Sequence, residues 1–208
     1  MRRFEVSRVT VRAAILRLVQ KNPVDVRQGK GTFVAGPIIA QGLDAFTGIK
    51  DVLVAQGFEP DRRLLEYRPA TVKECEGTPF AGAAVAPTLV RRLYVLHGKP
   101  FAVIHGLLAP EVSRFSRGEA EERTIVEMLG SCDGGVAHAD IAIRARPVHG
   151  DIGPLLGLPR RRSVLLMERT SHAASGAVID FSVFYIVPEA WEFRLKVEGP
   201  RPPGVNPL

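Results

Sequence analysis

The chain has 208 residues, 46 % of them hydrophobic and 24 % charged, with a formal net charge of +6. That composition is globular and excludes wholesale disorder. No apolar run reaches the ~18–20 residues of a membrane span, and the start Met1-Arg2-Arg3-Phe4-Glu5 lacks the apolar stretch and small-residue cleavage site of a secretory signal. Eight of the 28 basic residues but only two of the 22 acidic ones lie in the first 35 positions, so that segment carries the whole imbalance. A basic head on a neutral body points to a polyanion partner for the head; a solvated basic terminus is the plainer alternative. Cys75 and Cys132 have no second pair near either, which fits free thiols and a cytoplasmic location better than a disulfide framework or a zinc knuckle.

The first predicted element is a helix from Ser7. Val11, Ala14, Ile15 and Leu18 fall at i, i+3, i+4 and i+7, an amphipathic stripe. Ser7 is a good N-cap, because its hydroxyl can accept from a free N–H of the first turn. Arg8 and Arg12 share a face, with Thr10 beside them. A capped helix with Arg and Thr in its first turns is what a major-groove reader requires. Two short β-prone runs then flank Gln28-Gly29-Lys30-Gly31, which predicts a hairpin tipped by a lysine.

Beyond 36 the character changes. A linker is expected over 37–43, then a helix over 43–56 closed by Gly57. Strands are predicted over 63–67, 90–96, 101–108, 141–145, 164–171 and 177–186, with hairpins at His97-Gly98-Lys99-Pro100 and Ala174-Ser175-Gly176. Helices fit 120–129 and 152–156. Strands mostly joined by hairpins imply an α+β domain with a mainly antiparallel sheet. The tail 199–208, with four prolines, is expected to be disordered.

"VSRVTVRAAILRLVQ" followed by "VRQGKGTFVA" resembles the recognition helix and wing of a GntR-type winged helix-turn-helix regulator. The resemblance implies that Ser7, Arg8, Thr10 and Arg12 contact DNA from the helix, and that Gln28, Gly29 and Lys30 do so from the wing. Val9 stands where the family often has a second Thr. The family's DNA-binding domain starts roughly three dozen residues earlier, and the head here is below the ~40 residues at which a domain usually holds together without metal or disulfide. The expectation is a true start codon upstream; the alternative is a truncated effector-binding and dimerising protein that no longer binds DNA.

The body, in "VRRLYVLHGKPFAVIHGLLAP", "EERTIVEMLG" and "LLGLPRRRSVLLMERTSHAASGAVIDFSVFYIVPEAWEFRL", resembles the UTRA effector-binding domain of the HutC-like branch, which has a chorismate lyase-like fold. The implied organisation is a partial winged helix over 1–36, the linker, and a UTRA domain over 44–198. In that family an Arg-x-Arg pair and a Glu near the last strand bind a small acidic effector, and a guanidinium fork suits such anions. Arg92 holds the first Arg position, Tyr94 replaces the second, and Asp180 stands for the Glu. The customary Glu of the second hairpin strand falls at Ile104, with His105 beside it. Arg92, Tyr94, His105, Asp180, Ser182 and Tyr185 are thus the candidate effector residues, for a smaller or less anionic molecule than a phosphorylated sugar.

The five histidines show neither His-x-x-x-His nor His-x-His spacing, so no metal site is expected, and no cofactor. No Gly-x-Ser-x-Gly elbow occurs, and a fold shared with a lyase does not license catalysis. The expected function is that of a homodimeric regulator, not an enzyme, whose hold on an operator duplex responds to a small molecule.

Overall fold

The computed structural model describes residues 7–20, 24–27, 31–34 and 38–198, with only the backbone described at 8, 18–20, 24–27 and 32–34. The chain divides into two units, Met1–Ile38 and Ile39–Leu208. In the first, helix α1 (Arg8–Gln20) is followed by strands β1 (Val24–Arg27) and β2 (Gly31–Val34), paired antiparallel from Val24↔Val34 to Arg27↔Gly31. The backbone N–H of Thr10 donates to Ser7 Oγ at 3.1 Å, the cap its sequence position predicts. Val11 and Ile15 are half-buried, whereas Ala14, expected on the same stripe, is exposed.

The second unit opens with strand β3 (Ile39–Gly42), inside the stretch read as a linker. Ile39 is fully buried, and β3 pairs in parallel with a strand some 150 positions on, a partner that no local pattern reveals. Leu43 N–H then donates to the carbonyl of Arg194 at 3.0 Å, so the chain is still held by that strand where a helix was expected to begin. Helix α2 (Ile49–Ala55) starts only at Gly48, whose N–H donates to Asp51 Oδ2 at 3.2 Å. It ends as predicted at Gly57, whose φ of +81° suits a residue without Cβ.

Strand β4 (Asp61–Pro69), helix α3 (Val72–Cys75), strands β5 (Thr88–Leu96) and β6 (Lys99–Leu108), helices α4 (Arg117–Glu122) and α5 (Ile125–Leu129), strand β7 (His138–Pro147), helix α6 (Ile152–Leu156), strands β8 (Ser163–His172) and β9 (Val178–Ile186), and finally β10 (Trp191–Arg194) complete the unit. The helix expected over 120–129 is two helices. Thr124 and Glu127 form a capping box that starts α5 afresh, as Thr71 with Glu74 starts α3 and Ser116 with Glu119 starts α4.

Six strands make one antiparallel sheet in the order β4-β5-β6-β9-β8-β7; β3 and β10 form a separate parallel pair. The fold is therefore α+β with a mainly antiparallel sheet. Directly paired residues share a face and successive residues alternate. One face, here the inner one, packs Val90, Tyr94, Ile104 and Phe184 against α2, α4 and α5. The outer face is covered by α6 over Leu93 and Val103, and by the α3 segment over Leu89 and Leu107. Trp191, 1 % exposed, stacks on Phe101 at 5.9 Å and donates its Nε1–H to Gln41 Oε1 at 3.2 Å, locking β10 to β3.

Candidate functional site

In the first unit Thr10 and Arg12 are exposed, and Ser7 Oγ lies 2.9 Å from Thr10 Oγ1. Arg8 opens α1; its side chain, and Gln28, Gly29 and Lys30 entirely, lie outside the described residues.

The six candidate effector residues do not form one site. The register Arg92↔Ile104↔Phe184, with Asp180 four and Ser182 two residues before Phe184, puts Arg92, Tyr94, Asp180 and Ser182 on the inner face. His105 and Tyr185 differ from Ile104 and Phe184 by one position, and that odd offset turns them to the outer face.

On the inner face Arg92 is fully buried. Its Nη2 donates to the carbonyl of Ala120, while Arg62 Nη2 donates to Glu121 at 2.7 Å and to Glu122. These are the closing carbonyls of α4, so the two arginines satisfy acceptors that the helix itself leaves free. Arg92 Nε and Nη1 have no hydrogen-bond partner among the described residues. Burial pushes the Arg92 pKa below its ordinary value, and the like charge of Arg62 acts in the same direction.

Asp180 is equally buried but fully engaged. It accepts from Arg169 Nε at 3.0 Å, from Ser171 Oγ at 2.8 Å and from Ser182 Oγ. Arg169, which sequence reasoning passed over, lies with its guanidinium 4.6 Å from the Phe46 ring centre and 5.0 Å from that of Phe184. It borders a small pocket of about 10 Å³, room for about one water, lined among others by Lys50, Tyr94, Ile104 and Thr124. A cationic side chain at an inner-face position of β8 was the available sequence signal for Arg169.

The outer face carries a larger cleft of about 380 Å³ between α3 and α6, lined by Glu66, Glu74, Arg91, His105 and Asp151. Its charges satisfy one another. Arg91 donates to Glu66, to Asp151 and, at 2.7 Å, to His105 Nε2, and Arg68 holds Glu66 and Glu74. Burial and the Arg91 charge lower the His105 pKa to about 4, so its ring is a neutral acceptor at pH 7. The Arg91 hydrogen bond keeps Glu66 and Asp151 below the usual carboxylate range, and Arg68 lowers Glu74 to about 2. Tyr185 sets its ring edge-on to His105 at 5.4 Å, and burial raises its pKa.

Farther along the outer face, pairing across β7 and β8 gathers His138, Asp140 and His172. A search for ligand spacing along the chain overlooks them, because the two histidines stand 34 positions apart.

Residues 55–192 match the UTRA domain, and residues 1–34 match the bacterial regulatory proteins, gntR family. The HTH-type transcriptional regulator Rv0792c of Mycobacterium tuberculosis is 30 % identical over 93 % of this chain and 73 % of its own length. The HTH-type transcriptional repressor NagR of Bacillus subtilis is 24 % identical over 85 % of this chain and 74 % of its own. Among solved structures, PhnF from Mycobacterium smegmatis superposes with a TM-score of 0.69 at 21 % identity, covering 96 % of this chain and 88 % of that one, which shows a shared fold. The segment matching one family is followed along a single chain by the segment matching the other: the chain belongs to the gntR family of bacterial regulatory proteins, and is a transcriptional regulator built on a UTRA domain.

Proposed function

We propose that this regulator binds an operator duplex through Ser7, Arg8, Thr10 and Arg12 at the start of α1 and through Gln28, Gly29 and Lys30, which lie between β1 and β2 in the chain. It does so as a cytoplasmic homodimer, and a small acidic molecule held by the UTRA domain modulates the binding. The observation that carries this reading is a Ser-capped helix exposing Thr10 and Arg12 directly ahead of a hairpin, in the gntR-matched segment of a chain that also holds a UTRA domain. The names of the relatives are those of regulators and repressors, and no reaction is proposed. The head over 1–36 is kept, but the UTRA domain is drawn from Ile39 rather than 44, because β3 pairs with its last strand.

For the effector, the inner face is favoured. There Lys50 and Arg169 line the pocket, and behind it Arg92 keeps two donors without partners among the described residues, whereas the charged groups of the outer cleft already pair with one another and leave a carboxylate in excess. Asp180 and Ser182 hold Arg169 in place rather than facing a ligand. With room for about one water, the pocket must open by displacement of α2 or the segment before it. That segment leads directly from β3, the first element after the head. A second reading places a neutral or cationic molecule in the outer cleft beside His105 and Tyr185, favoured by its 380 Å³ volume.

A gel shift of the full chain on its own promoter, at two salt concentrations, tests the DNA claim. Arg8→Ala and Arg12→Ala are each expected to weaken binding by roughly 1–3 kcal/mol. Absence of any shift from the unaltered chain overturns the claim and leaves an effector-binding, dimerising protein. A thermal-shift screen of small acids, repeated on Lys50→Ala and on His105→Gln, separates the faces: loss in the first variant assigns the inner pocket, loss in the second the outer cleft.

A further inference from the structure

We propose that His138, Asp140 and His172 form a site for a divalent transition metal of the zinc class on the open outer face of the sheet. His138 begins β7 and His172 ends β8, and they are direct partners in the antiparallel register; Asp140 lies two residues along β7 on the same face. The two imidazole rings are stacked, their centres 4.6 Å apart and their planes within 5°. His172 Nε2 is 3.4 Å from Asp140 Oδ2, and one donor atom from each of the three residues falls within 4.8 Å of the others. Tetrahedral coordination at ~2.0–2.1 Å needs donors about 3.3 Å apart. The 3.4 Å pair already meets that; His138 is exposed, and turning its ring out of the stack aims an in-plane nitrogen at the same point.

The surroundings of His172 strengthen the assignment. Its Nδ1 faces the carbonyl of Gly176 at 3.4 Å. Metal-binding imidazoles characteristically donate their second N–H to such an acceptor, which fixes the tautomer and leaves Nε2 to the ion. Two imidazoles and one carboxylate favour zinc, nickel or copper over magnesium or calcium, which take oxygen ligands. Three protein ligands leave coordination positions open to solvent. The ion would clamp the free end of the β7–β8 ladder, beside the bond from Ala137 N–H to the His172 carbonyl at 2.8 Å. β7 is an edge strand, paired on one side only, so the ion would support a strand held by a single ladder.

The test is titration of the full, chelator-stripped chain with Zn²⁺ alone, followed by calorimetry and by amide exchange at Ala137. One ion per chain is expected, with slowed exchange at Ala137 and no comparable response to Mg²⁺. His138→Gln and His172→Gln should each weaken Zn²⁺ binding by about tenfold or more, whereas His149→Gln leaves it unchanged. Cu²⁺ bound to the unaltered chain should show electron-spin coupling to two imidazole nitrogens, and to one in either single variant. Zn²⁺ binding no tighter to the unaltered chain than to the His138→Gln/His172→Gln double variant overturns the proposal, because an ordinary His–Asp ion pair then accounts for the contact. His138 is exposed and His172 half-buried, so thermal melting in chelator checks that loss of metal binding in each variant is not loss of folding.

Discussion

A half-buried histidine and a buried aspartate dominate at the scale of single residues, and they respond to different perturbations. His105 has a pKa of about 4 in the folded chain against ~6.5 unfolded, so the unfolded state binds more protons between those values. Its contribution is fully present above about pH 6.5 and is lost as the pH falls toward 4, up to about 3 kcal/mol. Urea unfolding at pH 7 and pH 4.5 should show that loss, and His105→Gln should flatten it. The lowered carboxyls of Glu66 and Asp151 add a further loss only below their own unfolded values, because they stabilise in the charged form. Asp180 behaves differently, since it neutralises a buried guanidinium. Asp180→Ala leaves Arg169 uncompensated and should cost about 3–5 kcal/mol in urea unfolding. Replacing both partners with apolar residues, Arg169→Met with Asp180→Leu, should cost less than the single change, because the desolvated charge then goes with its partner.

Short helices are set by their caps at the scale of elements. Thr71-x-x-Glu74, Ser116-x-x-Glu119 and Thr124-x-x-Glu127 each exchange side chain and backbone bonds at a helix start, and each was written in the sequence. The last of them interrupts what apolar spacing alone joins into one helix over 120–129. Thr124→Ala should cost about 1 kcal/mol by thermal or urea unfolding. Ser7→Ala removes the same kind of bond from α1 without removing charge. Because Ser7 is also a proposed DNA contact, the variant loses cap and contact together and should weaken operator binding by about 1 kcal/mol.

Charge distribution and the closing strand pair govern the whole molecule. All of the net +6 belongs to the first 35 residues, so the salt dependence of operator binding should follow the head. Lys30→Ala should reduce the slope of log affinity against log salt by about one, while Arg160→Ala, on an exposed turn of the UTRA domain, leaves it unchanged. The β3–β10 pair ties the first strand of the UTRA domain to its last, with Trp191 between them. Trp191→Ala should cost about 3–5 kcal/mol, measured by urea unfolding, because a large buried ring stacked on Phe101 is lost along with its bond to Gln41.

Wherever the determining interaction is local, the sequence alone was enough: the capped start of α1, the strands β1 and β2, the six long strands, the hairpin at His97-Gly98 and the close of α2 at Gly57 all follow from residues a few positions apart. The parity of neighbouring positions along β6 and β9 would also have separated His105 from the position of Ile104, had it been applied to the candidate site. What only the tertiary structure decided depends on partners far away along the chain. Ile39–Gly42 is a strand rather than a linker because Trp191–Arg194 lies beside it. Arg92 closes α4 and Arg169 serves Asp180 because the sheet register aligns them. His138 and His172 stand face to face only because β7 folds back on β8, and chain spacing holds no record of which strands will pair.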